Sequence, residues 1–200
     1  VTGALVLVLV AVAVAVGLVA AARRRNALAR QADDELGALV ARLKATRHGD
    51  APAAYRGVIG SRTCVLEEIE SETGKLPLYL VHIRLACRSP LDFELQHQPS
   101  EMEARVLGDV QLGDPDFDAR FLIRTTDTDA ARRALTPEVR AALVEWVRRG
   151  WLHRLWIVGG EVNLQGRANF QQREAVRQID TYLQTVAALA ERLDNEGSMA

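Results

Sequence analysis

Leu76-Pro77-Leu78-Tyr79-Leu80-Val81-His82-Ile83-Arg84-Leu85-Ala86-Cys87 is the stretch whose reading sets the fold class. Tyr79, Val81, Ile83, Leu85 and Cys87 recur at every second position, the period of a strand with one buried face. A turn at Ser71-Glu72-Thr73-Gly74 joins it to an earlier run, Thr63–Ile69, which follows a shorter one, Tyr55–Ile59. Downstream, Leu91, Phe93 and Leu95 alternate with Asp92, Glu94 and Gln96 over Leu91–His97. Glu103–Leu107 is a weaker strand signal. Phe117–Thr125 reads as a strand with Phe117, Phe121 and Ile123 inward and Asp118, Arg120 and Arg124 outward. On that reading Asp118 and Arg120 are neighbours on the outer face and able to pair. The connections are too short for parallel crossovers, so a meander of antiparallel hairpins is expected.

On either side the period becomes helical. Leu28, Ala32, Leu36, Leu39 and Leu43 form a narrow stripe over Asn26–Arg47, ended by the breakers His48-Gly49-Asp50-Ala51-Pro52. This helix has three uses open to it: a stalk, packing on the domain, or pairing with a second copy. Asp127–Leu135 is a short helix. In the next helix Thr136 caps, Pro137 takes the first position, and Gly150 ends it, with Val139, Leu143, Trp146 and Val147 inward. Trp151–Val158 and Glu161–Gln165 make a hairpin across Gly159-Gly160. The last helix is expected to start at Asn169 with Gln172 in a capping box, carrying Val176, Ile179, Leu183, Val186, Ala190 and Leu193 inward. Asn195–Ala200 is expected to fray. The fold class is α+β: an N-terminal transmembrane helix, an antiparallel β-meander packed with helices, and a long C-terminal helix. The units are a span at 1–22, a juxtamembrane helical stalk at 23–50, a soluble domain at 51–195 and a tail at 196–200.

The span rests on composition. Val1–Ala22 holds eight Val, seven Ala, four Leu, two Gly and one Thr, and no charge. As a helix it reaches about 33 Å, against a hydrocarbon core of about 30 Å. Its Val and Leu residues contribute about −4 to −7 kcal/mol toward insertion. A buried core helix would be amphipathic or shorter. A cleaved signal would carry its basic residues before a shorter apolar run, although Ala20-Ala21-Ala22 resembles a cleavage site. Arg23, Arg24 and Arg25 flank the run on its C-terminal side, which places the following domain in the cytoplasm. Residues 23–50 carry seven basic and four acidic side chains, net +3, and residues 51–200 carry 18 and 22, net −4. The basic excess adjoins the bilayer, where anionic lipid attracts it. A mildly acidic distal domain argues against a nucleic-acid partner.

Gly113-Asp114-Pro115-Asp116-Phe117-Asp118-Ala119-Arg120-Phe121-Leu122-Ile123-Arg124, followed by Leu135-Thr136-Pro137-Glu138-Val139-Arg140, is the most distinctive pattern. It resembles a group of bacterial membrane-anchored proteins of unknown function, which show a Phe-Asp-x-x-Phe-x-Val-x strand, a Leu-Thr-Pro helix start, a hairpin and a long final helix. The resemblance covers Gly113 to Leu193. It implies an anchored α+β domain facing the cytoplasm and implies no activity or cofactor. Members of the group often have two membrane helices, whereas this chain shows one. The motif residues Asp116, Phe117, Asp118, Phe121, Arg124, Thr136 and Pro137 also have a structural reading as core, ion pair and helix start.

Other chemistries fit poorly. Asp114, Asp116 and Asp118 open like a calcium loop, but the sixth and twelfth positions are Ala119 and Thr125. Cys64 and Cys87, the only cysteines, fall nearly opposite across the first long hairpin, yet two buried thiols suit a cytoplasmic domain better than a disulfide. The four histidines are scattered; His82 and His97 lie on strands that adjacency would bring together, whereas His82 and Cys87 point to opposite faces. Neither a Gly-x-Ser-x-Gly elbow nor a phosphate loop is present. Trp146, Trp151 and Trp156 suit core packing around the hairpin; an exposed pair would instead mark a partner groove or a membrane-surface contact. The expectation is a membrane-anchored cytoplasmic domain that binds a partner protein or another copy of itself, with no cofactor or metal. The rival is an enzyme acting on a membrane-associated substrate.

Overall fold

A computed structural model describes residues 2–49, 53–71, 78–97 and 110–197, with the side chains of 2–17, 71, 196 and 197 outside that description. The chain is α+β. Its elements are α1 (Thr2–Arg42), β1 (Thr46–Arg47), β2 (Ala54–Ile59), β3 (Arg62–Ser71), β4 (Leu78–Ala86), β5 (Phe93–His97), α2 (Pro115–Asp118), β6 (Phe121–Thr125), α3 (Thr128–Ala134), α4 (Pro137–Arg148), β7 (Leu152–Val158), β8 (Glu161–Arg167) and α5 (Arg173–Gly197). Eight strands form one sheet in the order β1-β2-β3-β4-β8-β7-β5-β6, every neighbouring pair antiparallel.

The order departs from the expected meander. β1 to β4 follow it, but the β7–β8 hairpin inserts between β4 and β5. The link 87–92 must therefore cross three strand intervals, about 14 Å, which six residues reach easily at about 3.3 Å each. It crosses over the hairpin tip, where the Cys87 N–H donates to the Gly160 carbonyl at 2.8 Å. Gly159 and Gly160 both hold positive φ (58° and 76°), as a tight primed turn demands.

Period two determines which residues face the helices. One row across the sheet is Leu66, Ile83, Leu164, Leu155, Leu95 and Ile123, and the next is Cys64, Leu85, Val162, Ile157 and Phe93. All eleven are buried in a single core. Ala175, Val176, Ile179, Tyr182, Leu183, Val186, Leu189, Ala190 and Leu193 of α5 close over them, joined by Val139, Leu143, Val144 and Trp146 of α4. Gly150 and Trp151 end α4 with N–H bonds back to Val147 and Trp146, satisfying its last carbonyls.

Three element boundaries differ from the sequence reading. Phe117–Thr125 is not one strand: Pro115–Asp118 forms a helical turn before β6. Asp114 caps that turn, its Oδ1 accepting the Phe117 N–H at 3.2 Å. Local capping thereby outweighs the alternation of apolar residues. The helix expected to reach Arg47 stops at Arg42, because Lys44 turns at φ 49° and Thr46–Arg47 pair with β2. The last helix begins at Arg173, not Asn169. The Asn169 side chain accepts the Gln171 N–H instead of serving a capping box, and the Gln172 carbonyl takes the first helical bond, from Val176. The weak strand Glu103–Leu107 lies outside the described residues.

α1 is continuous from Thr2. Residues 18–31 are exposed, and Ala32, Leu39 and Leu43 are the first to be buried. Glu35 pairs with Arg173 and Arg177, and Arg42 with Asp180, so the foot of α1 lies along α5. Of the uses open to this helix, packing on the domain is seen at its foot. Among the described residues no helix is long and apolar enough to cross a membrane; the first part of Val1–Ala22 lies outside the described side chains.

Candidate functional site: the helix-free sheet face

The face of the sheet turned away from the helices carries polar side chains in two registered rows. Strand pairing aligns Arg84, Asn163, Trp156, Glu94 and Arg124 in one row and Glu67, His82, Gln165, Arg154 and Gln96 in the other. The inserted hairpin supplies the middle of both rows, bringing residues from β4, β5 and β6 around Trp156.

Glu94 is the hub of an ion-pair network. Its carboxylate lies 2.7 Å from Arg154 and 3.8 Å from Arg124, and accepts from the Gln96 amide at 2.5 Å. The Arg154 guanidinium carbon sits 4.7 Å from the centre of the Trp156 ring. His82 packs against the same indole, with ring centres 5.2 Å apart, and its Nε2 lies 3.1 Å from Asn163 Oδ1. Arg84 and Arg154 each hold a buried Nε with no hydrogen-bond partner among the described residues. Glu94, Arg124, Arg154 and Trp156 line a shallow depression of about 580 Å³ with Asp92 and Thr126. An arginine stacked on an indole beside a carboxylate suits recognition of a charged or aromatic group.

Of the seven motif residues, only Arg124 reaches this face. Asp118 is buried and anchors a loop, its carboxylate accepting from the backbone N–H groups of Leu112, Gly113 and Asp114 at 3.0, 2.9 and 3.0 Å. Both oxygens are aimed at the chain's own backbone, not at a cation site. The expected Asp118–Arg120 pair does not form, because Asp118 ends a helical turn and faces inward. Arg120 pairs with Asp116 at 2.8 Å, and Arg148 reaches the other Asp116 oxygen at 3.4 Å. Arg140 bonds Asp114 at 3.2 Å, so α2 is fastened to α4. Phe117 and Phe121 stack in the core with ring centres 4.5 Å apart. Thr136 and Pro137 begin α4, although the Thr136 hydroxyl makes no cap bond. Arg23, Arg24 and Arg25 lie on the exposed part of α1.

Cys64 and Cys87 are free, buried thiols on the helix side, and burial pushes both pKa values up, away from the reactive thiolate. His82 and His97 are not on neighbouring strands, since β8 and β7 lie between β4 and β5. Among the described residues no three His, Cys, Asp or Glu side chains are grouped to hold a metal. Trp146 is core, Trp151 is half-buried against Tyr182, and Trp156 alone belongs to the open face. The outward positions of β5, β7 and β8 carried the signal for this site, but alternation gives a residue's face and not its neighbours.

Burial pulls the pKa of His82 down, partly opposed by its bond to Asn163. His97 and His153 are also lowered, by burial first and by nearby arginines second. Folded chains therefore hold fewer protons than unfolded ones below about pH 6.5, the unperturbed histidine value. This contribution is fully present above that pH and is lost as pH falls through the folded values. The urea midpoint of the detergent-solubilised chain should drop between pH 7.5 and 5.5, and His82→Gln should flatten the slope. A midpoint constant across that interval would contradict the assignment.

Comparison of the chain with protein-family models, curated proteins and solved structures finds no match.

Proposed function

We propose that this chain is a single-pass, membrane-tethered binding module whose helix-free sheet face docks a partner protein on the cytoplasmic side. The observation that carries the reading is the network around Trp156: an indole, two arginines and a glutamate on one sheet face. The stripe of α5 and the Leu39 and Leu43 end of the α1 stripe are spent on the core, whereas Leu28 stays exposed. The tether rests on the uncharged run Val1–Ala22, its continuation as one helix into the domain, and the Arg23–Arg25 flank. The resemblance of Gly113–Leu193 to bacterial membrane-anchored proteins supports the same reading.

A photo-crosslinking residue at Trp156, in chains kept in their native membranes, should give a discrete adduct. The same residue at Arg133, on the helix side, should give none. Equal labelling from both positions, or none from Trp156, would remove the binding face. A reporter fused after Ala200 tests orientation separately and should be active only in the cytoplasm.

A further inference from the structure

The direction in which α1 leaves the domain is defined by its ion pairs. Glu35 meets Arg173 and Arg177 while Arg42 meets Asp180, so residue numbers climb together and α1 runs parallel to α5. Followed toward its N-terminus, α1 passes the start of α5 and emerges beside the 168–172 loop. Arg24, Arg25 and Leu28 share a hollow of about 580 Å³ with Asn169, Gln171 and Gln172. The loop therefore lies close to the depth of the basic flank. From Ala22, the end of the span, to Leu28, where α1 meets this loop, is about 9 Å of helix. The headgroup layer of one leaflet is about 5–8 Å thick. A span ending at Ala22 brings this end of the domain to that layer.

The side chains gathered at this end suit such a surface. Arg167, exposed at the end of β8, has no ion-pair partner among the described residues. Trp151, Tyr79 and Arg167 line one hollow of about 330 Å³ with Gln172 and Glu174. The Arg149 guanidinium carbon lies 4.7 Å from the Trp151 ring centre. His97 and His153 lie at the same end, and the charge of Arg167 helps to lower both pKa values. Among the described acidic groups at this end, Glu35 is matched by two arginines, Asp116 by Arg120 and Arg148, and Glu145 by Arg149, whereas Glu174 lines the hollow itself. Half-buried Trp and Tyr beside arginines form the composition that settles at a bilayer interface, with rings at headgroup depth and guanidinium groups on phosphate.

We infer that the end of the domain from which α1 departs, built around Trp151, Tyr79 and Arg167, rests on anionic lipid headgroups. This would hold the domain against the bilayer and present the sheet face laterally to partners in the same membrane. The inference rests on the reading of Val1–Ala22 as a span, and the test separates the two. The full chain is reconstituted into vesicles of brominated phosphatidylcholine, with or without phosphatidylserine, and tryptophan quenching is recorded. Quenching should be several-fold stronger with phosphatidylserine, vanish in Trp151→Phe, and weaken in Arg167→Gln and at high salt. Equal quenching in both vesicles, or quenching indifferent to Arg167→Gln, would overturn headgroup recognition. Absence of quenching in chains that resist carbonate extraction would overturn docking while leaving the tether in place. Release by carbonate would remove the tether, and this inference with it. Circular dichroism identical to the parent confirms that each variant is folded.

Discussion

Asp118→Ala is expected to destabilise the domain by about 3–5 kcal/mol, since it leaves three backbone N–H groups without their charged acceptor. The donors belong to Leu112, Gly113 and Asp114, and the carboxylate that receives them is 8% exposed. Leu112 is itself buried, so water cannot fully replace the lost acceptor there. The loop it holds carries Asp114, which caps α2 and reaches Arg140 of α4, so its release loosens a helix junction as well. Against a typical total of about 5–15 kcal/mol, the loss removes a large fraction of stability. Asp116→Ala is the control: that carboxylate is exposed, and losing its pairs with Arg120 and Arg148 should change little. Asp118→Asn should fall between them, because one amide oxygen still accepts while the amide nitrogen faces other donors. Urea unfolding followed by circular dichroism, on the full chain in detergent, gives the ranking. Equal midpoints for Asp118→Ala and Asp116→Ala would refute the anchoring role.

Tyr182→Ala should cost about 3–5 kcal/mol, the range for truncating a fully buried aromatic side chain. Tyr182 has no exposed surface, and Trp146 and Trp151 meet its ring edge-on, with centres 4.6 and 6.4 Å away. The Gln178 amide donates to its hydroxyl, and burial raises the phenol pKa, keeping the hydroxyl protonated. Tyr182→Phe isolates that bond and should cost about 1–3 kcal/mol, because the buried Gln178 amide loses its acceptor. The ring occupies the space above Gly166, where an added Cβ would lie 2.6 Å from Tyr182 Cε2. Gly166→Val should therefore destabilise by about 1–3 kcal/mol on its own. Combined with Tyr182→Ala it should cost less than the sum, since the valine enters the vacated space. Strict additivity in that double-mutant cycle would show that the two residues do not share the space.

These two residues mark the limit of local reading. Tyr182 was not among the residues of the expected inward stripe, although it neighbours Leu183, and nothing near it in sequence announced that β8 would need a glycine beneath it. Asp118 stood in a pattern that alternated like a strand. Its capture by three N–H groups depended on a proline and a capping aspartate turning the chain just before it. For the open face, the outward positions of Glu94 and Arg124 followed from alternation. Their meeting with Trp156 and Arg154 did not, because sheet order depends on which strands pair across long separations in sequence.

What the sequence determined by itself was periodic or compositional. Alternation located β2 to β5, the three-four stripe located α4 and α5, and Gly159-Gly160 located the hairpin turn. Each of these signals arises within about twenty residues, where backbone geometry and transfer free energy act residue by residue. Tertiary structure decided the insertion of β7–β8 between β4 and β5, the parallel seating of α1 on α5, and the gathering of Trp156, Arg154, Glu94 and Arg124 on one face. Those outcomes minimise exposed core and unpaired strand edge over the whole chain at once, a sum that no local window contains.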